Sequence, residues 1–377
     1  IFNINNVYIF GYYMKIPYVN LSYQNSLIRR QLTSIFNRIL KTGNYVGGHE
    51  ITRFEKNIAK FCKSKYAVAL NSGTDALTLA LAVCGVRKGD EVITTPNSFI
   101  ASTAVIVHLG AKPIFVDVLP DQNINPDKIE EVITKKTKCI MPVHLTGRMA
   151  DMKKIMKIAN KYNLKVIEDA AQAIGSKFDG KLAGTFGHIG CFSAHPLKNL
   201  NAIGDGGYLV TNNKNYYKKI KDLSNHGMTN RDKVKNFGYV SRMDNLQAAI
   251  LNFKLKNLNN IISKRRKNYK IYKKFLSKKV FFPTEKKNEF NTYHTFVVQV
   301  DKRNQLKNYL LKNRIATSIH YPIPIHLQPA SNKFGYKLGD FPITESQSNK
   351  IITLPIHQDL KKKDILKICK MVNNFVK

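Results

Sequence analysis

The chain has 377 residues, 43% of them hydrophobic, with 61 Lys+Arg against 25 Asp+Glu and a formal net charge of +36. That much apolar material builds a sizeable core and excludes a disordered tail protein or a disulfide miniprotein. No run of about 18 apolar residues occurs, so no membrane span is expected. Lysine is spread along the whole chain, with no arginine-rich arm, RNP-type aromatic motif or zinc-finger spacing, so nucleic acid is not an expected partner. A basic surface favours acidic small ligands such as phosphates and nucleotides. The five cysteines (Cys62, Cys84, Cys139, Cys191, Cys369) are scattered without a CxxC pair. They read as free thiols of a cytoplasmic protein, not as a disulfide framework or a metal site.

Residues 1–13 (IFNINNVYIFGYY) are apolar and aromatic but lack a positive charge and a small-residue cleavage site, which argues against a signal peptide. Met14 opens a segment that reads as the start of a globular protein, and 1–13 is expected to be a non-native or disordered extension. Ile28, Leu32, Ile35 and Ile39 recur at helical spacing and predict a helix over about 26–42. A second helix is expected over 51–63. Strands and helices then alternate: strand 67–70, helix 75–83, strand 91–94, helix 98–109, strands 113–118 and 139–143, helix 151–162, strand 165–168. Such repetition argues an α/β fold with a mostly parallel sheet. Leu251, Leu255, Leu258 and Ile262 predict one long helix over 246–275, with a lysine-rich solvated face. Beyond it, a strand over 293–300 and a helix over 304–313 suggest a smaller C-terminal α+β unit. The expected division is a large domain at 14–250 and a small one at 251–377.

Three stretches carry candidate chemistry. Asn71-Ser72-Gly73-Thr74-Asp75-Ala76-Leu77 lies between a strand and a helix, and reads either as an ordinary N-cap or as an anion site. In Val166-Ile167-Glu168-Asp169-Ala170-Ala171-Gln172, apolar residues run into carboxylates at a strand's C-terminal end, where open α/β sheets place ligands. An acid there can hold a ligand cation or a metal, or cap the next helix. Gly190-Cys191-Phe192-Ser193-Ala194-His195-Pro196-Leu197-Lys198-Asn199, followed by Gly204-Asp205-Gly206-Gly207, shelters a lysine among small and apolar residues. A lysine denied water loses proton affinity and becomes a usable amine nucleophile. An anion cradle, a strand-end carboxylate and a sheltered lysine are the parts that pyridoxal phosphate needs.

The motifs NSGTDAL, TTPNSFIAS, GAKPIFVDV, MPVHLTGRMADM, EDAAQAIGS, FSAHPLKNLNAIGDGG, SRMDNLQAAIL and HYPIPIHLQPA stand in order along the chain. The chain resembles the DegT/DnrJ/EryC1/StrS family of sugar aminotransferases over roughly 16–377. That resemblance implies the aspartate-aminotransferase fold (PLP fold type I). It implies Lys198 as the lysine that bonds the cofactor aldehyde and moves the proton, and Asp169 as the partner of the pyridinium nitrogen. Gln172 would lie near the 3-hydroxyl, Gly73, Thr74 and Ser193 would bind the phosphate, and Phe99 would stack on the ring. It implies a homodimer, since fold type I enzymes build their sites at a subunit interface.

One position departs from the family. An Asn is common in the stretch before the SRMD-like arginine and reaches the neighbouring subunit's cofactor phosphate, but here Val240 stands there. Valine cannot hydrogen-bond a phosphate, so Arg242, Ser241 or a nearby Asn substitutes, or the contact is absent.

The resemblance also implies a nucleotide-linked keto-sugar as acceptor and L-glutamate as donor. The segment containing His320, Tyr321, His326 and Gln328 resembles the part that lines the sugar-nucleotide site, and His195 is also expected to contact the substrate. Its form favours amination at C3 of a 3-keto-6-deoxy sugar over C4. Related dehydratases carry His where Lys198 stands, so the lysine favours transamination. A PLP-dependent dehydratase and a non-catalytic regulatory protein on the same scaffold are the alternatives.

Overall fold

In the computed structural model the described residues are 8–9 and 12–377, so the expectation for 1–13 falls mostly outside them. The core of the molecule is a seven-stranded sheet built from β1 (Tyr66–Leu70), β2 (Glu91–Thr94), β3 (Lys112–Phe115), β4 (Thr137–Ile140), β5 (Lys165–Asp169), β6 (Ile189–Ser193) and β7 (Gly207–Thr211). Their order across the sheet is β1-β7-β6-β5-β4-β2-β3. The pairs from β6 through β5, β4 and β2 to β3 are parallel, and β7 runs antiparallel to both β6 and β1. This is the α/β architecture expected for the fold.

Side-chain alternation divides the strand residues between two cores. Ala67, Ala69, Ile93, Ile140, Val166, Phe192 and Val210 face one side. There they meet helices α2 (His49–Cys62), α5 (Met152–Lys161) and α6 (Asn245–Leu255), with α1 (Arg29–Thr42) lying against α6. Val68, Leu70, Val92, Cys139, Ile167, Cys191 and Leu209 face the other side and meet α3 (Gly73–Val83) and α4 (Ala101–His108). A sheet covered on both faces exposes its useful groups only at the strand ends. The carboxyl ends of β1, β2, β4, β5 and β6 all open on one edge, the usual ligand edge of such sheets.

A third cluster lies beyond the sheet. It joins an antiparallel pair, β8 (Phe296–Gln299) and β9 (Ile351–Leu354), to α8 (Arg303–Lys312) and α9 (Lys362–Phe375). Helix α7 (Leu258–Phe275) links the two regions, with Leu258 and Ile262 in the sheet core and Tyr269 and Tyr272 in the third cluster. Ile16, placed with the large unit by sequence position, packs in this third cluster and pairs with Ile315.

The expected helix over 246–275 is two helices. Asn257 leaves the helical basin (φ −105°, ψ 2°), and its side-chain oxygen accepts from Asn260 Nδ2 at 3.1 Å. A short amide that bonds locally competes with the helix backbone at that point. The helix expected over about 26–42 begins at Arg29, and a separate six-residue helix, Leu21–Ser26, precedes it. The strand expected over 113–118 stops at Phe115, and the one over 139–143 at Ile140. Past Ile140 only Val143 pairs again, with Asp169. The strand expected from 293 begins at Phe296, because Tyr293 takes a left-handed φ of 48°.

Gly190 sits in β6, the strand that leads to Ser193 and Lys198. A Cβ there would overlap the Gly184 backbone, which cannot yield as a side chain would. Gly190→Ala is expected to destabilise the fold by about 1–3 kcal/mol, at the upper end of ordinary overpacking. Urea unfolding of the two proteins checks it.

Candidate active site

The anion cradle forms at the start of α3. Ser72 caps the helix by accepting from Asp75 N at 3.0 Å, and the first intrahelical bond runs from Ala76 N to Ser72 O. The N–H groups of Gly73 and Thr74 therefore precede the ladder and point out of the helix end with the positive end of its dipole. A Cβ at Gly73 would stand 2.8 Å from Ser193 Cβ, so glycine lets the end of β6 close on this helix terminus. Ser193 Oγ accepts from His195 N at 3.3 Å and keeps its own O–H to donate. Gly73, Thr74 and Ser193 are thus brought together as donors, with Asp75 in the same first turn held to the Ser72 cap through its N–H.

Asp169 ends β5. Its carboxylate is buried, accepting from Ser102 Oγ at 2.7 Å and from Ala171 N at 3.2 Å. Loss of water holds its carboxyl above the usual carboxylate range, with the Ser102 hydroxyl, the Ala171 N–H and the Lys198 charge acting against the shift. The adjacent Glu168 points to the other side and is spent structurally. It accepts from Gly184 N, Phe186 N and Gly187 N at 2.7–2.8 Å, and from His144 Nε2 at 2.9 Å. His144 Nδ1 accepts from Ala150 N at 3.2 Å, which makes Nε2 the protonated nitrogen of a neutral ring.

Lys198 follows the turn closed by its own N–H on His195 O at 2.8 Å. Burial pushes its ammonium down to about 8, with Asp169 opposing the shift. The two groups attract across the site, and no salt bridge of 4.0 Å or less joins them among the described residues. Space therefore separates the amine from the carboxylate.

Around Lys198 lie three imidazoles whose basicity falls through burial first and the lysine charge second: His195, His320 (down to about 4) and His294. His320 Nδ1 is 2.9 Å from Thr353 Oγ1. Tyr321 reaches the same group: its hydroxyl accepts from Gln172 Nε2 at 3.5 Å, and its ring centroid is 6.1 Å from that of Phe99. Gln172 Oε1 accepts from Thr146 N at 2.7 Å. Phe99 is 57% exposed, so its ring has an open face.

His326, expected to line the substrate site, is not part of this cluster. It is buried against Phe341, with Nε2 2.9 Å from Glu345 Oε1. Glu345 in turn accepts from the Gly339 and Phe341 N–H groups, so His326 braces that loop. Gln328 is half-buried, and its side-chain Nε2 donates to Ile323 O at 3.4 Å. Ser241 is buried and faces Asn71 Oδ1 at 3.4 Å. Arg242 is exposed and donates to Asn225 Oδ1 at 3.1 Å, and Asn225 is the bridge partner of Val240.

Sequence reasoning missed Ser102, His144, His294 and Lys254. Lys254 Nζ donates to Asn201 Oδ1 at 2.9 Å, and Asn201 Nδ2 donates to Pro196 O at 2.6 Å, bracing the turn that carries Lys198. Ser102 closes the TTPNSFIAS motif three residues after Phe99, one helical turn on, but nothing in the sequence pairs it with Asp169. His294 lay inside a segment read as plain strand.

Among the described residues no cluster of His, Cys, Asp and Glu is placed to hold a metal ion, and no helix is long and apolar enough to cross a membrane. The donor set fits pyridoxal phosphate: a dianion cradle at a helix N-terminus, a buried carboxylate for a ring N–H, and an amine of lowered proton affinity between them. Fold and site together define a fold type I, PLP-using aminotransferase.

Comparison with known proteins agrees. The chain belongs to the DegT/DnrJ/EryC1/StrS aminotransferase family, whose model matches residues 27–373. It is 38% identical over 364 residues to a dTDP-3-amino-3,6-dideoxy-alpha-D-galactopyranose transaminase of Aneurinibacillus thermoaerophilus, covering 96% of this chain and 99% of the relative. It is 36% identical to a "pleiotropic regulatory protein" of Geobacillus stearothermophilus, covering 96% and 99%. The fold matches the crystal structure of S. venezuelae DesV in complex with a ketimine intermediate at a TM-score of 0.94 and 32% identity, over 96% and 98% of the two chains. Other solved structural neighbours carry the cofactor in its PLP or PMP form, and the chain is a PLP-dependent transaminase.

A lysine titrating near 8 reacts with carbonyls at lower pH than an ordinary lysine. Borohydride-trapped incorporation of PLP into cofactor-free protein is expected to rise with pH through about 8 and then level. Peptide mass spectrometry should place the label on Lys198. An inflection above 10, or a label elsewhere, contradicts the assignment.

Proposed function

We propose that this protein moves an amino group from L-glutamate to a nucleotide-linked keto-6-deoxy sugar, at C3 in preference to C4, and so makes a nucleotide amino sugar for polysaccharide or glycan biosynthesis. The observation that carries the reading is the meeting, at one sheet edge, of Lys198 with a buried Asp169 and the Gly73–Thr74–Ser193 cradle. The 3-amino sugar in the name of the Aneurinibacillus relative supports C3, and a net charge of +36 suits an acceptor that bears a diphosphate.

Bound pyridoxal phosphate supplies the electron-accepting ring that allows an amino group to leave one carbon and join another. The chain's own groups do the rest. The Gly73 and Thr74 N–H groups and the Ser193 O–H would hold the phosphate. Asp169 would hold the ring nitrogen's proton, Gln172 would lie at the 3-hydroxyl, and Phe99 would cover one ring face. Lys198 would hold the cofactor's aldehyde end and would supply the amine that takes up and returns a proton at the substrate carbon. Its lowered proton affinity keeps a usable fraction of free amine at neutral pH. His195, His320 and Tyr321 offer neutral polar groups to sugar hydroxyls beside that amine.

An intact lysine, carboxylate and cradle support catalysis. The test combines L-glutamate with keto-sugar nucleotides and analyses products by mass spectrometry. The expected outcome is an amino-sugar nucleotide with equimolar 2-oxoglutarate, formed faster from the 3-keto than the 4-keto acceptor. Lys198→Ala should lower turnover by about 10³-fold or more. A deoxy-keto product without glutamate consumption would establish the dehydratase and overturn the amino-transfer reading.

We also propose a cytoplasmic homodimer, divided functionally near residue 250. All five cysteines are buried and free, which suits a reducing compartment. Phe237 is 99% exposed, and Val234, Tyr239 and Val240 beside it are also exposed, an apolar grouping that calls for a partner. Arg242, held by Asn225, is the group proposed to replace the missing family Asn toward the partner's phosphate. Light scattering should give twice the chain mass, and Phe237→Asp should shift the population toward monomer.

A further inference from the structure

The carboxylate of Asp169 has a hydroxyl partner on a different element. Ser102 sits in the first turn of α4 and is buried, and its Oγ donates to Asp169 Oδ2 at 2.7 Å. The two residues are 67 positions apart, so the bond joins the helix after β2 to the end of β5 across the intervening strand β4. Ser102 N also donates to Phe99 O at 3.2 Å. One turn of chain therefore carries both the aromatic face at Phe99 and the hydroxyl on Asp169. The other Asp169 oxygen accepts from Ala171 N, and the Asp169 backbone is clamped on both sides, its N–H on Pro142 O and its C=O receiving His144 N, both at 2.9 Å.

We propose that Ser102 is a positioning residue for the amine-transfer reaction: its hydroxyl fixes the orientation of the Asp169 carboxylate and keeps it ionised, so that the carboxylate can hold a protonated ring nitrogen. This rests on the reading of Asp169 as the ring-nitrogen partner. The physical case is that a buried carboxylate must be compensated by hydrogen bonds or it takes up a proton. Beyond the charges of neighbouring groups, Asp169 has two donors, and the Ala171 N–H is the longer. The hydroxyl donor is shorter and comes from another element, so it sets the angle of the carboxylate as well as its charge. An unprotonated ring nitrogen makes a poorer electron sink, so loss of the Ser102 hydroxyl would act on chemistry more than on sugar binding.

The test uses the full chain loaded with PLP labelled with ¹⁵N at the ring nitrogen, in wild type, Ser102→Ala, Ser102→Thr, Ser102→Cys and Asp169→Asn. The readouts are the ring ¹⁵N shift by solid-state NMR, PLP affinity by equilibrium dialysis, and kcat and KM with the sugar acceptor. Ser102→Ala is expected to move the ¹⁵N shift toward that of unprotonated pyridine and to weaken PLP binding about tenfold or more. It should lower kcat while leaving the sugar KM within about twofold. Ser102→Thr keeps the hydroxyl and should restore all three. Ser102→Cys, a weaker donor of similar shape, should fall between, and carries the test if the alanine variant does not fold.

A wild-type ¹⁵N shift and affinity in both Ser102→Ala and Ser102→Cys, alongside loss of both in Asp169→Asn, would overturn the role of Ser102 and leave Asp169's intact. An unchanged shift in Asp169→Asn would overturn the Asp169 reading and the proposal with it.

Discussion

Two consecutive carboxylates, Glu168 and Asp169, end the strand at the centre of the sheet, and both are buried. Burying two anions side by side costs several kcal/mol each unless hydrogen bonds replace the lost water. Alternation along the strand sends them to opposite sides, and each receives its own set of donors. Glu168 gathers three backbone N–H groups from the 184–187 turn together with His144, and so ties β4, β5 and the approach to β6 into one body. Asp169 is left with less, two donors and a distant lysine charge, and its carboxyl stays above the ordinary range. The structure satisfies one anion fully and leaves the other wanting a cation. That asymmetry makes the site.

The same logic governs Lys198. Its amine loses water as Asp169 does, and the two shifts run in opposite chemical directions: the acid holds its proton more tightly and the amine more loosely. Direct contact would let each stabilise the other's charge and cancel both shifts. The loop after β6 keeps them apart, through the turn on His195 and the Lys254–Asn201–Pro196 brace. A ligand that offers an N–H to one and a carbonyl to the other relieves both costs at once, and binding energy is drawn from strain the fold already holds.

The class of fold was legible because strand alternation and helix spacing are local signals, and five of the seven sheet strands repeat them between residues 66 and 169, while β6 and β7, among glycines and the site loop, were not foreseen. The three site stretches were legible because ligand chemistry at a strand end needs particular residue types in a short run, as in Asp169 and the Gly73–Thr74 terminus. What escaped depends on contacts between distant positions. Ser102 reads as one small residue of an apolar helix, and only the sheet order brings it to Asp169. His294 reads as one strand residue, yet Tyr293 turns left-handed and delivers it to Lys198. The helix break at Asn257 rests on one side-chain bond that competes with an otherwise continuous apolar stripe. His326 lies in a motif shared with His320, but a 3₁₀ turn after the prolines sends its ring to Glu345 instead.

The histidines show how such a basic chain can present a chemically selective pocket. His195, His294 and His320 surround Lys198, and if all were charged they would repel its ammonium form. Burial and the lysine charge drive their proton affinities down together, so the ring nitrogens stay neutral. Neutral imidazoles can donate from one nitrogen and accept at the other, which suits sugar hydroxyls better than fixed cations do. The formal excess of positive charge is thus kept on exposed lysines, where it acts over a distance on an anionic substrate. At the reacting end, the one basic amine that matters is held close to losing its proton, with a buried carboxylate across from it and uncharged donors around it.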